Sequence, residues 1–299
     1  MITVLGSINM DLIASVTRLP KPGETVTGDS FVTAPGGKGA NQALAAARAG
    51  STVAMTGACG EDEFAGPALT YLRYEHVDLS RVRSASTATG VALIFVGADG
   101  ENVIAIVAGA NGTVSAEDAR VAVAAMNRND TLMLQLEIPT EAIEAGLVAA
   151  RQKGITSVIN IAPLTEDAKR LAGLADIVIA NESEFELFAG KSNLDNAARE
   201  AEMLRINAET RQTLIVTLGA DGVVATRGGK LFKAKGLTID PVDTVGAGDT
   251  FCGYFVSSLD RGLDFETALR RAAVAGSLAC TKPGAQPSIP RAAEVDAYI

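Results

Sequence analysis

The chain has 299 residues, 47% of them hydrophobic, and a formal net charge of −9 with no block of lysine or arginine. That composition accommodates one large α/β domain as well as two small ones, and it disfavours nucleic acid or an anionic membrane as a partner. A single histidine and three scattered cysteines argue against Ser-His-Asp triads, His-rich zinc sites and a disulfide framework.

His76 lies in the polar run Tyr74-Glu75-His76-Val77-Asp78 and reads as a surface residue. Cys59, Cys252 and Cys280 read as space-filling thiols. No stretch reaches the roughly 18 apolar residues of a membrane span. The N-terminus enters a strand at once, without a basic leader, so a cytoplasmic address is expected.

Ile2 to Leu5 reads as a buried first strand running into Gly6-Ser7-Ile8-Asn9-Met10-Asp11. Open α/β sheets place ligands at such strand ends, although an ordinary turn fits the same residues. Asn9 and Asp11, two apart, point to one side of an extended chain. Residues 12–34 are rich in Thr, Val, Pro and Gly and read as short strands with turns. Pro35-Gly36-Gly37-Lys38-Gly39-Ala40-Asn41-Gln42-Ala43 leads into an Ala-rich helix that stops at Gly50. The glycines permit close backbone approach, read here as approach to a ligand. Neither a Walker A loop nor a GxGxxG fingerprint is present.

A strand over 53–58 and a helix over 62–74 follow. Runs 90–96 and 102–107 flank Gly97-Ala98-Asp99-Gly100 and predict a β-hairpin. Together with 12–34 it suggests a small separate sheet, serving as a lid, an oligomer interface or both. From Ser115, a helix N-cap, strand and helix alternate. Strands are expected over 131–136, 155–161, 176–180 and 213–218, and helices over 140–153, 194–208, 250–260 and 265–281. This pattern predicts a parallel sheet covered on both faces.

Asp243-Thr244-Val245-Gly246-Ala247-Gly248-Asp249-Thr250-Phe251 places a small-residue turn at a helix N-terminus, a natural anion site. Taken alone, Asp249 reads first as a helix cap. Asn9, Asp11, Glu137, Asn181, Glu184, Thr217 and Asp249 all follow a strand or start a helix. Their gathering at one edge favours a site, with Asp249 as a base for an attacking hydroxyl.

These residues resemble a known family. Gly36-Gly37-Lys38-Gly39-Ala40-Asn41-Gln42-Ala43 and Asp243 to Phe251 resemble the two signatures of the PfkB (ribokinase-like) sugar kinases, and Asn181-Glu182-Ser183-Glu184 matches the N-x-x-E motif. The spacing fits along essentially the whole chain. The resemblance implies a single domain over 1–299, a three-layer α/β/α sandwich with a mainly parallel central sheet. It also implies a β lid from about 12–34 and 88–108 that pairs two subunits. It implies ATP-dependent phosphorylation of the 5-hydroxyl of ribose, with Asp249 as base and the N–H groups of Gly246, Ala247 and Gly248 as anion hole. Asn9, Asp11, Gly37, Lys38, Asn41 and Glu137 would hold the sugar. Asn181, Thr217, Gly219 and Gly222 would line the ATP site, with Gly248 beside the phosphates and Glu184 placing Mg²⁺. A K⁺ site would use Asp243, Val245, Ala279, Lys282, Gly284 and Ser288, several through backbone carbonyls. Pro283 departs from the family pattern inside that loop, and no histidine stands in 264–281 near the adenine. Other sugars or nucleosides (fructose, deoxyribose, 2-keto-3-deoxygluconate, adenosine) and a non-catalytic sugar-binding role are the alternatives.

Overall fold

The computed structural model describes residues 1–299. In chain order its strands are β1 (Ile2–Leu5), β2 (Asn9–Val16), β3 (Gly28–Gly36), β4 (Val53–Gly60), β5 (Asp78–Ala85), β6 (Gly90–Gly97), β7 (Asn102–Val107), β8 (Thr131–Leu134), β9 (Thr156–Asn160), β10 (Ile177–Asn181), β11 (Thr213–Thr217), β12 (Val223–Arg227) and β13 (Lys230–Ala234). The helices are α1 (Lys38–Arg48), α2 (Ala65–Ala68), α3 (Thr70–Tyr74), α4 (Ala116–Ala124), α5 (Thr140–Lys153), α6 (Ala168–Ala172), α7 (Glu182–Ala189), α8 (Asn196–Thr210), α9 (Ala247–Asp260), α10 (Phe265–Ala279), α11 (Ala285–Ser288) and α12 (Ala292–Asp296). No helix is long and apolar enough to cross a membrane.

The main sheet has nine strands in the order β13-β12-β11-β10-β9-β8-β1-β4-β5. The seven from β11 to β5 are parallel, and β12 and β13 add an antiparallel edge. Apolar side chains alternate between two cores, as the two-residue period of a strand requires. Val4, Met133, Val158, Ile179 and Ile215 pack under α1, α9 and α10, whereas Leu5, Leu134, Ile159, Val178 and Val216 pack under α4 to α8. The result is a three-layer α/β/α sandwich, as expected. A separate four-stranded sheet, β3-β2-β6-β7, stands beside it. Its β6–β7 hairpin lies where the alternating pattern placed it.

The elements β5, α6, α11 and α12 were not foreseen, and three further features differ from the sequence expectation. The antiparallel edge arises because two tight turns reverse the chain, Leu218–Gly222 between β11 and β12 and Gly228-Gly229 (φ of 58° and 76°) between β12 and β13. The expected helix over 62–74 is two short pieces. Pro67 has no N–H to give, and Leu69 (φ −100°, ψ 3°) separates α2 from α3. The unforeseen α7 begins with a capping box between Asn181 and Glu184. His76 is exposed as expected. Cys59 and Cys252 are buried, and Cys280 is only partly so.

Candidate active site

The strand order reverses direction between β8 and β1, so the connections diverge there. A crevice outside the carboxyl ends of the strands results, the usual ligand position in open α/β sheets. It collects Ser7 after β1, Gln135 and Glu137 after β8, Asn160 ending β9, Asn181 ending β10 and Thr217 ending β11. A cavity of about 220 Å³ opens at this edge, lined by residues including Lys38, Asn181, Glu184, Thr217, Gly248 and Asp249.

Asp249 lies in the first turn of α9, only 6% exposed. Its Oδ2 accepts a hydrogen bond from Asn41 Nδ2 and its Oδ1 one from Gln42 Nε2, both at 2.9 Å. Gly253, one turn further along α9, explains how α1 comes so near. A Cβ there would stand 2.5 Å from Ala45 Cβ and 2.6 Å from the Gln42 carbonyl oxygen. The bare position lets the two helices cross closely enough for consecutive side chains of α1 to reach one carboxylate.

The N–H groups of Gly246, Gly248 and Asp249 have no acceptor within the chain, while that of Ala247 turns back to the Thr244 carbonyl at 3.3 Å. The sequence expectation was Gly246, Ala247 and Gly248. A helix N-terminus frees the amides its own preceding turn does not use, which here are those of Gly246, Gly248 and Asp249. Gly248 has nothing within 4 Å of its Cβ direction, so that position faces open space.

No β2 residue lines this cavity, but Asp11 of β2 lies within charge range of Glu137, Asp249 and Lys38. Asn9 and Asp11 share a face and are 3% and 8% exposed. Asn9 Oδ1 accepts from Asn111 Nδ2 at 2.6 Å, which leaves the Asn9 amide nitrogen as a donor. The Asn111 side chain also pairs with both the N–H and the carbonyl of Ile8. The motif glycines are needed for the chain's own packing. A Cβ on Gly36 would overlap the Asp11 carboxylate, one on Gly37 would lie 2.7 Å from Asn9 N, and one on Gly39 2.5 Å from Ser7 N. Glu137 Oε2 accepts from Ser7 Oγ at 2.5 Å and from Lys38 N at 3.0 Å, tying the start of α1 to the end of β1. Asn41 Oδ1 is buried without a partner, a group a ligand hydroxyl would satisfy.

Charge in the site is predominantly negative. Burial pushes the Asp11 carboxyl up to about 7, aided by Glu137 and Asp249 and opposed by Lys38. The Asp249 carboxylate is the chief group holding the Lys38 ammonium above its ordinary value, against burial and with help from Glu137 and Glu184. Burial also raises the Glu184 carboxyl, while the Asn181 N–H and Lys38 hold it down.

A sequence profile of pfkB family carbohydrate kinases matches residues 1–292. The chain belongs to this family. It is 38% identical to a ribokinase of Haemophilus influenzae over 299 residues, covering 100% of this chain and 98% of that one. A deoxyribokinase of Salmonella typhi is 32% identical, with 100% and 98% covered. The structure of Arabidopsis thaliana ribokinase complexed with ribose and ATP superposes with a TM-score of 0.88 at 30% identity, covering 99% of this chain and 97% of that one. This PfkB protein is thus a carbohydrate kinase, and it uses ATP.

In this PfkB kinase the N-x-x-E motif is a helix cap. Asn181 Oδ1 accepts from Glu184 N, and Glu184 Oε2 accepts from Asn181 N, both at 2.8 Å. The second Glu184 oxygen remains available. One such carboxylate suits Mg²⁺, which keeps several waters and binds chiefly through substrate phosphates. Gly219 and Gly222 do not line the cavity. They form the turn after Thr217, where Gly222 has a φ of 95° and a Cβ would collide with the Ala234 carbonyl.

Asp243 joins the two loops expected to hold a monovalent cation. Its Oδ1 accepts from Val245 N at 2.9 Å and its Oδ2 from Gly284 N at 2.8 Å. The carbonyls of Asp243, Val245, Lys282 and Gly284 accept no backbone hydrogen bond, a donor set that suits such a cation. The Ala279 carbonyl takes a long bond of 3.4 Å from Lys282 N, and Ser288 Oγ donates to the Ala285 carbonyl. Lys282 Nζ instead pairs with Glu294 at 3.2 Å.

Ser7, Gln42, Asn111 and Asn160 escaped the sequence assignment of roles. Gln42 stands inside the first signature, yet nothing local tells that its amide crosses to α9. Asn111 is about a hundred residues from Asn9, and only the fold brings them together.

Proposed function

We propose that this chain transfers the γ-phosphoryl group of ATP to the 5-hydroxyl of D-ribose in the cytoplasm, giving ribose 5-phosphate and ADP. The observation that carries the reading is the Asp249 carboxylate, held by two amide donors beside three unoccupied N–H groups at the head of α9. Asn9, Asp11 and Asn41 offer a donor, an acceptor and an unpaired amide oxygen on the sugar side, which suits a hydroxyl-rich furanose. The ribokinase relatives support the same substrate.

In the reaction, Asp249 accepts the proton of the attacking hydroxyl as the new O–P bond forms and the bond to the ADP oxygen breaks. A positioned base of this kind contributes about 10²–10⁴-fold. The N–H groups of Gly246, Gly248 and Asp249 meet the charge on the transferring phosphoryl, each donor worth about 10²–10³-fold in comparable holes. The Lys38 ammonium, which lines the same cavity, adds positive charge. Glu184 and the ATP phosphates would hold Mg²⁺, which neutralises phosphate charge. Carbonyls of the Asp243–Val245 and Ala279–Ser288 loops would hold K⁺, adding positive charge behind the head of α9. Gly219 and Gly222 shape the turn that borders the nucleotide, beyond Asn181 and Thr217. Strands β2, β3, β6 and β7 serve as a lid over the sugar and as the interface of a homodimer.

The test is the initial rate of ADP formation from MgATP with D-ribose, with and without K⁺, beside deoxyribose, fructose, 2-keto-3-deoxygluconate and adenosine. A ribose-selective rate with the phosphate on the 5-oxygen is the expected result. A rate confined to deoxyribose would favour the second reading, which the Salmonella relative supports, and would overturn the substrate assignment.

A further inference from the structure

Asp249 stands at the third position of α9, counted from the capping residue Gly246. A carboxylate there normally folds back onto the N–H of the capping residue. This chain does so three times. Asp118 in α4, Glu184 in α7 and Glu294 in α12 each occupy the third position and accept the N–H of their cap residue, at 2.8, 2.8 and 2.7 Å. Asp249 does not, and the N–H of Gly246 is left without an acceptor.

Two features set it apart: its cap Gly246 is left-handed (φ 76°, ψ −1°) where the other three caps are extended, and a buried chain of amides reaches its carboxylate. Asn160 Nδ2 donates to the Ile179 carbonyl at 3.2 Å, so its Oδ1 faces Gln42. Gln42 must therefore present its nitrogen, which donates to Asn160 Oδ1 at 3.1 Å and to Asp249 Oδ1 at 2.9 Å. The remaining Gln42 oxygen accepts from Gln135 Nε2 at 2.6 Å. Gln42 and Gln135 are fully buried. The backbone of β10 thus fixes the polarity of the whole chain of amides, and its last donor points at Asp249.

We propose that Gln42 is a positioning residue of phosphoryl transfer, holding the Asp249 carboxylate off its own helix cap. With Gln42 gone, only Asn41 Nδ2 still holds that carboxylate, and the unpaired N–H of the left-handed cap Gly246 competes for it. One move would then withdraw the base from the hydroxyl and place a negative charge in the anion hole. The inference rests on Asp249 being the base, but it adds a second reason for activity to depend on Gln42, which does not itself face the substrates.

The experiment compares kcat and both KM values for wild type, Gln42→Met, Asp249→Ala and the double variant, with MgATP and D-ribose. Methionine keeps the length and fits irregular space, so the core should tolerate it. Gln42→Met is expected to lower kcat about 10–10²-fold, the cost of a misplaced group, with the sugar KM within about twofold. In the Asp249→Ala background the same change should cost less than about twofold in kcat, because no carboxylate remains to fall back. A full additional loss in that background would reduce Gln42 to a structural amide and overturn the proposal. Full activity in Asp249→Ala alone would instead remove the base assignment. If neither Gln42→Met nor the double variant folds, a crystal structure of the unaltered protein decides the matter. Asp249 on Gln42 supports the proposal, and Asp249 on the Gly246 N–H contradicts it.

Discussion

Asp11 is a costly residue for the free protein. Its carboxyl, ordinarily near 4, is raised to about 7 by burial and by the neighbouring Glu137 and Asp249. Between those values the unfolded chain has released the proton and the folded protein still holds it. Stability from this group therefore falls as pH rises through the window, and the cost is complete above about pH 7. Asp11→Asn should stabilise the ligand-free protein at pH 8 by on the order of 2–4 kcal/mol, with little gain at pH 4. Thermal melts at the two pH values check this, and an equal gain at both would contradict it. The same substitution should weaken sugar binding, because a hydroxyl donates well to a carboxylate and poorly to an amide nitrogen. At residue scale the sequence revealed Asn9 and Asp11 because a strand repeats every two residues. At Ala247 a list of small residues does not tell which amides a helix turn has already used. The sequence was silent on Gln42, whose role appears only when α1 crosses α9.

Elements meet at the junction between the two sheets. The chain passes from β1 to β2, from β3 to α1, from β5 to β6 and from β7 to the 3-10 turn Gly109–Thr113. Asn111 sits at this junction, 1% exposed, and ties the turn to Ile8 and Asn9 by three hydrogen bonds of 2.6 to 3.1 Å. It also sets which end of the Asn9 amide is left free, the nitrogen. Asn111→Ala should destabilise by about 2–4 kcal/mol, from buried groups left unpaired, and raise the sugar KM several-fold more than the ATP KM. Equal changes in both KM values would mean that the residue serves the fold alone. Helices with marked ends were legible at this scale. The α5 limits, with Gly154 at φ 68° as left-handed cap, were read as found. The break between α2 and α3 and the β12–β13 hairpin were carried by Pro67 and Gly228-Gly229, signals overridden by the stronger strand–helix alternation.

Over the whole molecule, two properties follow from charge and from exposed surface. A net charge of −9 and an acidic crevice oppose a nucleotide, so its binding depends on N–H groups, on Lys38 and on accompanying cations. The small sheet is apolar on both faces. Phe31, Val103 and Val107 are at least 53% exposed on one, and Val32, Ile104 and Ile106 at least 48% on the other. Surfaces of this kind on an open sheet need cover. Sedimentation at about 10 µM, below the millimolar strength of nonspecific contacts, should give twice the chain mass of 30.7 kDa. Phe31→Glu should shift the protein toward monomer and weaken ribose binding, and a wild-type monomer would contradict the dimer. The three-layer sandwich was legible because seven parallel strands need covered faces. The small sheet as a lid, an oligomer interface or both was an expectation from its separate strands, and its pairing of two copies is a proposal.

The most direct measurement is kcat for ADP formation by Asp249→Asn, with ribose affinity measured on the same preparation by calorimetry. The expected result is a loss of about 10²–10⁴-fold in kcat with ribose affinity within about threefold of wild type. Turnover equal to wild type would show that the carboxylate at the head of α9 is not the base.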